Sequence, residues 1–236
     1  MIEAAGRALL VAEMFGPTVQ GEGPSSGQRA VFVRLSRCNL SCPPCDTPFT
    51  WDASRFNLGA ETRRLPGEQV VAWVLRQSAP LVVITGGEPL LQQELLLPVV
   101  TSLTAEGRRV EIETNGTIAP TAGLQRLVDA FNVSPKLATF AAATDERRRI
   151  NPPALSALMA SGKAVFKFVV HGTDDLAEVD QLCTAHGLGP VWVMPEGTTA
   201  ERVVAVSQAI ADDVIRRGWN LSSRLHVLCW GDQRGR

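Results

Sequence analysis

Cysteine is scarce in this chain, with five among 236 residues. Three of them, Cys38, Cys42 and Cys45, crowd into eight positions, while Cys183 and Cys229 stand alone. A secreted disulfide framework spaces its cysteines differently, so that class is set aside and a reducing, cytoplasmic location is expected. Charge of one sign is also missing. Lysine and arginine number 23 against 24 acidic residues, so no bulk field would recruit nucleic acid or an anionic membrane. No stretch approaches the roughly 18 uninterrupted apolar residues of a bilayer span. The opening "MIEAAGRALLVAEMFG" has no long apolar core with a small-residue cleavage site, so no signal peptide is expected. Histidine is limited to His171, His186 and His226, and these form no zinc-type pair. Low-complexity segments and fixed-period repeats are lacking too.

What is present is an ordinary globular composition, 45% hydrophobic and 20% charged. The length suits one large domain, and a single domain over 1–236 is expected. Short β-branched runs predict strands at 9–15, 30–36, 81–85, 109–114, 128–134, 164–170, 190–195 and 224–230. Amphipathic stretches between them predict helices over 67–79, 92–107, 152–162, 173–187 and 201–218, several closing on glycine. Such alternation implies parallel strands joined by helical crossovers. About six units are too few for a complete eight-fold barrel, so a partial barrel or an open parallel sheet follows.

Chemistry in parallel α/β folds gathers in the loops after the carboxyl ends of the strands. The unusual residues fall there. The three cysteines follow the 30–36 run, "TGGEP" spans 85–89, "ETNGT" spans 113–117, "SPK" spans 134–136 and "MPEG" spans 194–197. Three cysteines in a polar, proline-containing loop are not small core hydrophobes. Structural zinc asks for four ligands. "CPPC" has the form of a disulfide-exchange pair, but Cys38 and the surrounding sequence argue against that chemistry. An iron–sulfur cluster suits these soft donors. Three thiolates on a four-iron cluster leave one iron open for a substrate or cofactor.

Cys38-x3-Cys42-x2-Cys45 together with Gly86-Gly87-Glu88-Pro89 resembles the radical S-adenosylmethionine (SAM) superfamily. The resemblance implies a partial (β/α) barrel of about six parallel strands with flanking helices, a [4Fe-4S] cluster and SAM bound through its amino and carboxylate groups. It narrows further. "FGPTVQGEGPSSGQRAVFVRLSRCNLSC", "CDTPFTWD", "VVITGGEPLLQ", "EIETNGT", "NVSPK" and "RLHVLCWGDQRGR" are similar to the 7-carboxy-7-deazaguanine synthase family and cover most of the chain unevenly. That family contracts the ring of 6-carboxy-5,6,7,8-tetrahydropterin with loss of ammonia, on the way to queuosine and other deazapurines, and uses Mg2+.

The resemblance assigns roles. Gln20 and Glu22 offer the donors and acceptors that a pterin edge needs. Arg34, ahead of Arg29, suits its carboxylate because it lies on the run leading into the cysteines. Thr85 and His226 would also lie near substrate. Thr47 is the implied Mg2+ ligand, with Asp46 the alternative by charge. Gly86, Gly87, Glu88, Glu113, Thr114, Asn115, Ser134 and Lys136 are expected around SAM, the two glycines admitting its amino acid moiety without a Cβ in the way. Pro44 departs from the family, which usually carries an aromatic residue or histidine before the third cysteine, so the adenine contact must come from elsewhere. Cys183 and Cys229 read as packing residues. A glycyl-radical activase shares the cysteine pattern, but further ferredoxin-like cysteines are absent and such an enzyme has no use for "QGEG". An electron donor such as flavodoxin or ferredoxin and a homodimer are expected, with no nucleic-acid or membrane partner.

Overall fold

A computed structural model describes residues 8–141 and 145–236. The chain begins with β1 (Ala8–Val19), crosses to β2 (Arg29–Leu35) and returns as β3 (Arg63–Pro66). Strands and helices then alternate: α1 (Gly67–Leu75), β4 (Leu81–Gly86), α2 (Gln93–Ala105), β5 (Arg109–Thr114), α3 (Ala122–Leu127) and β6 (Ala130–Val133). Next come α4 (Glu146–Arg149), α5 (Pro152–Ala160), β7 (Ala164–Val170), α6 (Leu176–His186) and β8 (Val191–Pro195). The chain closes through α7 (Ala200–Arg216), β9 (Asn220–Leu221) and α8 (Leu225–Trp230).

All nine strands join one open sheet in the order β3-β1-β2-β4-β5-β6-β7-β8-β9. β1 and β3 run antiparallel at one edge. From β2 onward every pairing is parallel, as helical crossovers require. The expected helices all form. In α7, Thr199 caps the first turn by accepting from the Arg202 amide at 3.3 Å. Val203, Val206, Ile210 and Val214 then bury one stripe at helical spacing.

One expected strand is a helix. All of that run but Arg224 coils into α8, because the place beside β8 is taken by β9. A short apolar run carries too little period to choose its own state. Of its large residues Val227 is buried, whereas Leu228 and Trp230 are exposed. The two-residue β9 brings the parallel set to seven strands against the expected six.

Side-chain alternation divides the sheet into two faces. Val31, Val33, Val82, Ile84, Val110, Ile112, Phe131 and Phe166 point into the main core, which the helices cover with Val70, Leu96, Leu103, Leu155, Val179 and Ile210. The intervening residues point the other way. On β2, β4, β5, β6 and β7 these include Arg34, Thr85, Glu111, Glu113, Asn132 and Lys167. One face is therefore dry and apolar, and the other carries polar groups that need partners. Deep on that second face Glu111 is held by Ser25 Oγ at 2.6 Å, by Asn132 Nδ2 at 3.0 Å and by Arg109. This set closes the amino-terminal end of the sheet and leaves the carboxyl end open.

Candidate active site

The open end forms a cavity of about 1400 Å³ of empty space, counting its mouth, and its wall includes Cys38, Cys42, Cys45, Thr47, Gly86, Thr114, Lys136, Lys167 and His226. Most of the residues singled out in the sequence meet here, from segments as far apart as 20 and 226.

The cysteine loop leaves β2 through Arg37, whose φ of 81° is rare for a residue with a Cβ. The neighbouring chain holds it there. The Arg37 amide donates to Thr50 O at 2.8 Å, and Arg37 O accepts from the Glu88 amide at 2.8 Å. Gly86 and Gly87 make this approach possible. A Cβ on Gly86 would lie 2.1 Å from Leu35 O, and one on Gly87 would lie 2.0 Å from Arg37 O. The glycines thus serve first to let the β4 loop lie against the cysteine loop.

Cys38 and Cys45 pack against a small cluster of Leu40, Cys42 and Ala141. The Leu40 amide approaches Cys38 Sγ at 3.5 Å, and the Cys45 amide donates to Cys42 O at 3.1 Å. Burial pushes the Cys38 thiol up to about 11 and raises that of Cys42 as well. Iron binding would therefore release protons. Among the described residues no three His, Cys, Asp or Glu side chains converge as one bound ion needs. Three soft donors spread round a glycine-lined recess suit a [4Fe-4S] cluster, in which each thiolate takes its own iron.

Glu88 is fully buried and stands behind the wall. It accepts from the Leu90 amide at 2.9 Å, Thr114 Oγ1 at 2.9 Å and the Asn115 amide at 2.7 Å. Burial raises its pKa while those donors and Lys136 work against the rise. Its observed role is to hold Thr114 and Asn115 in place. Asn115 Nδ2 reaches Asn39 Oδ1 at 3.0 Å, next to Cys38, and Asn115 Oδ1 accepts from Thr117 Oγ1 at 2.6 Å. Lys136 Nζ donates to Ser134 Oγ at 3.0 Å. Thr114, Asn115, Ser134 and Lys136 all line the cavity beside the cysteines.

Across the cavity Glu113 joins two predicted substrate residues, accepting from Gln20 Nε2 at 3.0 Å and Thr85 Oγ1 at 2.7 Å. Glu22 pairs with Lys167 and, at 3.2 Å, with Arg224 Nε. Burial alone would raise its pKa, but Lys167, Arg224 and His226 overcome this and hold Glu22 far below the usual carboxylate range. Burial works against the charge on Lys167 too, yet Glu22 and Glu113 raise its pKa overall. For His226 burial dominates and lowers the pKa. A Cβ on Gly21 would meet His226 Nδ1 at 2.0 Å, so "QGEG" needs its first glycine to seat this histidine.

Arg34 lines the same cavity, its Nε on Glu13 at 2.8 Å and its guanidinium over the Phe15 ring. Arg29 lies elsewhere, exposed and donating to Ser78 O at 2.6 Å. Thr47 is on the wall, its Oγ1 3.6 Å from Cys45 Sγ. Asp46 is tied to Arg224 at 2.5 Å. Pro44 lines the wall as well, and Phe140 and Met194 are among the apolar and aromatic residues of the same cavity. Cys183 packs against the main core, but Cys229 is exposed and does not serve as a packing residue.

Lys167 and Arg224 are cavity residues that sequence reasoning missed. A signal existed for the first: Lys167 is the one charged residue in the β7 run "AVFKFVV", and an inward lysine in a buried strand demands a partner. Arg224 gives none, because the run it begins carries the pattern of a strand.

The family model for the radical SAM superfamily matches residues 33–180. A 7-carboxy-7-deazaguanine synthase from Pyrobaculum aerophilum is 39% identical over 230 residues, covering 96% of each chain. One from Hyperthermus butylicus is 35% identical, covering 95% of this chain and 94% of its own. The crystal structure of QueE from Escherichia coli matches with a TM-score of 0.68 at 27% identity, covering 94% of this chain and 96% of that one. SuiB from Streptococcus suis shares the fold with a TM-score of 0.54 at 14% identity, over 82% of this chain and 49% of its own.

Proposed function

Because the chain belongs to the 7-carboxy-7-deazaguanine synthase family of radical SAM enzymes, we propose that it converts 6-carboxy-5,6,7,8-tetrahydropterin to 7-carboxy-7-deazaguanine with loss of ammonia. One observation carries the reading: the three thiols share a cavity with a floor of paired donors and acceptors, Gln20, Glu113, Thr85 and Glu22, suited to a flat hydrogen-bonding heterocycle. A site of this type rejects analogues strongly, because a missing partner leaves buried polar groups unpaired.

The cysteines would hold the cluster, and Thr114, Asn115, Ser134 and Lys136 would bind SAM beside it, with Gly86 and Gly87 letting the β4 loop lie against the cysteine loop and Glu88 supporting them from behind. Held there, cluster and SAM would supply the radical chemistry that the side chains themselves lack. The protein's share is orientation and exclusion of water. Arg34 would take the substrate carboxylate as a bidentate guanidinium. Glu22, kept ionised by Lys167, accepts hydrogen bonds and donates none. His226, whose pKa burial lowers, can in its neutral form present a donor on one nitrogen and an acceptor on the other.

Mg2+ would sit at Thr47, completed by substrate oxygens and water. Thr47 is favoured over Asp46 because the Asp46 carboxylate is already engaged by Arg224. A small electron donor, flavodoxin or ferredoxin, would reduce the cluster, and a homodimer and a single domain over 1–236 are the expected assembly. No helix among the described residues is long and apolar enough to cross a membrane, and a cytoplasmic location is part of the proposal. The test is anaerobic incubation of cluster-loaded protein with the carboxytetrahydropterin, SAM, Mg2+ and a reductant. The expected product is the deazaguanine acid. Cluster-loaded protein that cleaves SAM yet forms none would defeat the assignment.

A further inference from the structure

Arg224 sits where four distant segments meet. Its side chain is only 7% exposed. Nη1 donates to Gly197 O at 2.7 Å, in the loop after β8. Nε donates to Glu22 Oε1 at 3.2 Å, in the strap after β1, and Nη2 to Asp46 Oδ2 at 2.5 Å, between Cys45 and Thr47. Glu22 already has Lys167 as a buried partner, so that carboxylate alone does not call for the arginine. Burying a second cation is costly, and a hydrophobic residue of similar size would often serve stability as well. What a lysine or an apolar side chain lacks is the planar fork, which fixes several acceptors at once. Here those acceptors are a carboxylate on the substrate side, a carboxylate on the metal side and a backbone carbonyl that anchors the guanidinium between them.

We propose that Arg224 is a positioning residue that joins the pterin-binding strap, through Glu22, to the loop bearing Cys45 and Thr47, through Asp46, and so fixes the distance between the substrate ring and its Mg2+. The inference rests on the proposed function for the identity of both ligands. The coupling of the two loops stands apart from it and can be read without either. In this account Asp46, half exposed at the rim, is the grip on Arg224 and not a metal ligand.

The test compares wild type with Asp46→Asn, Arg224→Lys and the double variant. In cluster-free protein, amide hydrogen exchange over 44–50 should quicken about tenfold in Asp46→Asn and in Arg224→Lys, as expected for loss of one charge-assisted hydrogen bond. The double variant should be no faster than Arg224→Lys. Asp46→Asn changes a rim residue, so it remains informative if the arginine variant folds poorly. In loaded protein, iron content should match wild type, while the Mg2+ concentration for half-maximal product and the pterin KM should both rise about tenfold. Unchanged exchange over 44–50, or additive effects in the double variant, would overturn the positioning role. So would loss of kcat alone with the Mg2+ requirement unmoved. If wild type forms no product, the functional reading fails while the exchange experiment still decides the coupling.

Discussion

Lys167 lies at the floor of the cavity with its charge against Glu22. Replacing it by methionine keeps the volume but leaves the carboxylate with Arg224 alone, and removing one partner of a buried pair costs about 3 kcal/mol or more. Denaturant unfolding should show that loss near neutral pH. The sign of its pH dependence follows from the two shifts. Glu22 is depressed below its ordinary value of 4.5, so its contribution is present above 4.5 and fades as pH falls through the folded value. Lys167 is raised above 10.5, so its contribution is present below 10.5 and fades as pH rises. The difference between wild type and Lys167→Met should therefore be flat across the neutral range and shrink toward both extremes. A difference that peaks at pH 6 would contradict this pairing. Gly21→Ala makes a second prediction at this scale. Its Cβ would meet His226 Nδ1 at 2.0 Å, so the ring must move, and product formation should fall on the order of 100-fold. Iron content and the circular dichroism spectrum should not change.

Among the elements, the contact between the β4 loop and the cysteine loop carries the greatest consequence. Gly87→Ala would place a Cβ 2.0 Å from Arg37 O, and backbone on both sides leaves little room to yield. The Arg37–Cys38 peptide must shift, so reconstituted iron should fall well below wild type while helix content is kept. Retention of full iron content would show that the recess tolerates the extra atom. The motif marks these glycines as room for a ligand, but spacing alone does not reveal that another strand's backbone also lies against them. Glu88 is the same lesson. Its motif pointed to the cofactor, whereas its carboxylate is spent on Leu90, Thr114 and Asn115. The loops after β2, β4, β5 and β6 were legible because strand–helix alternation predicts where chemistry collects. The run at 224–230 was not, since the six residues of α8, with one buried side chain, fit either state, and the decision rested with β9 at the sheet edge.

Across the whole molecule, one face of the sheet is apolar under the helices and the other is polar and carries the cavity. Cys38, Cys42, Cys45, Gln20, Glu22, Arg34 and Thr47 were visible as motifs, and the fold places them on one wall or floor. Lys167 stands out locally as a lone charge in an apolar strand, but its partner, like those of Arg224, is apparent only in the fold. Their partners lie 145 and 202 residues away in sequence, beyond what local pattern records. At this scale the account predicts about four iron and four sulfide per chain after anaerobic reconstitution, whereas stoichiometric zinc without sulfide would refute it. The most direct measurement of the central claim, an iron left without a protein thiolate and free to bind SAM, is electron paramagnetic resonance of the reduced protein with and without SAM labelled at its amino nitrogen. The account predicts a changed cluster signal and coupling to the label. A signal indifferent to SAM, or one altered by replacing Cys183 or Cys229 as if either were a fourth ligand, would contradict it.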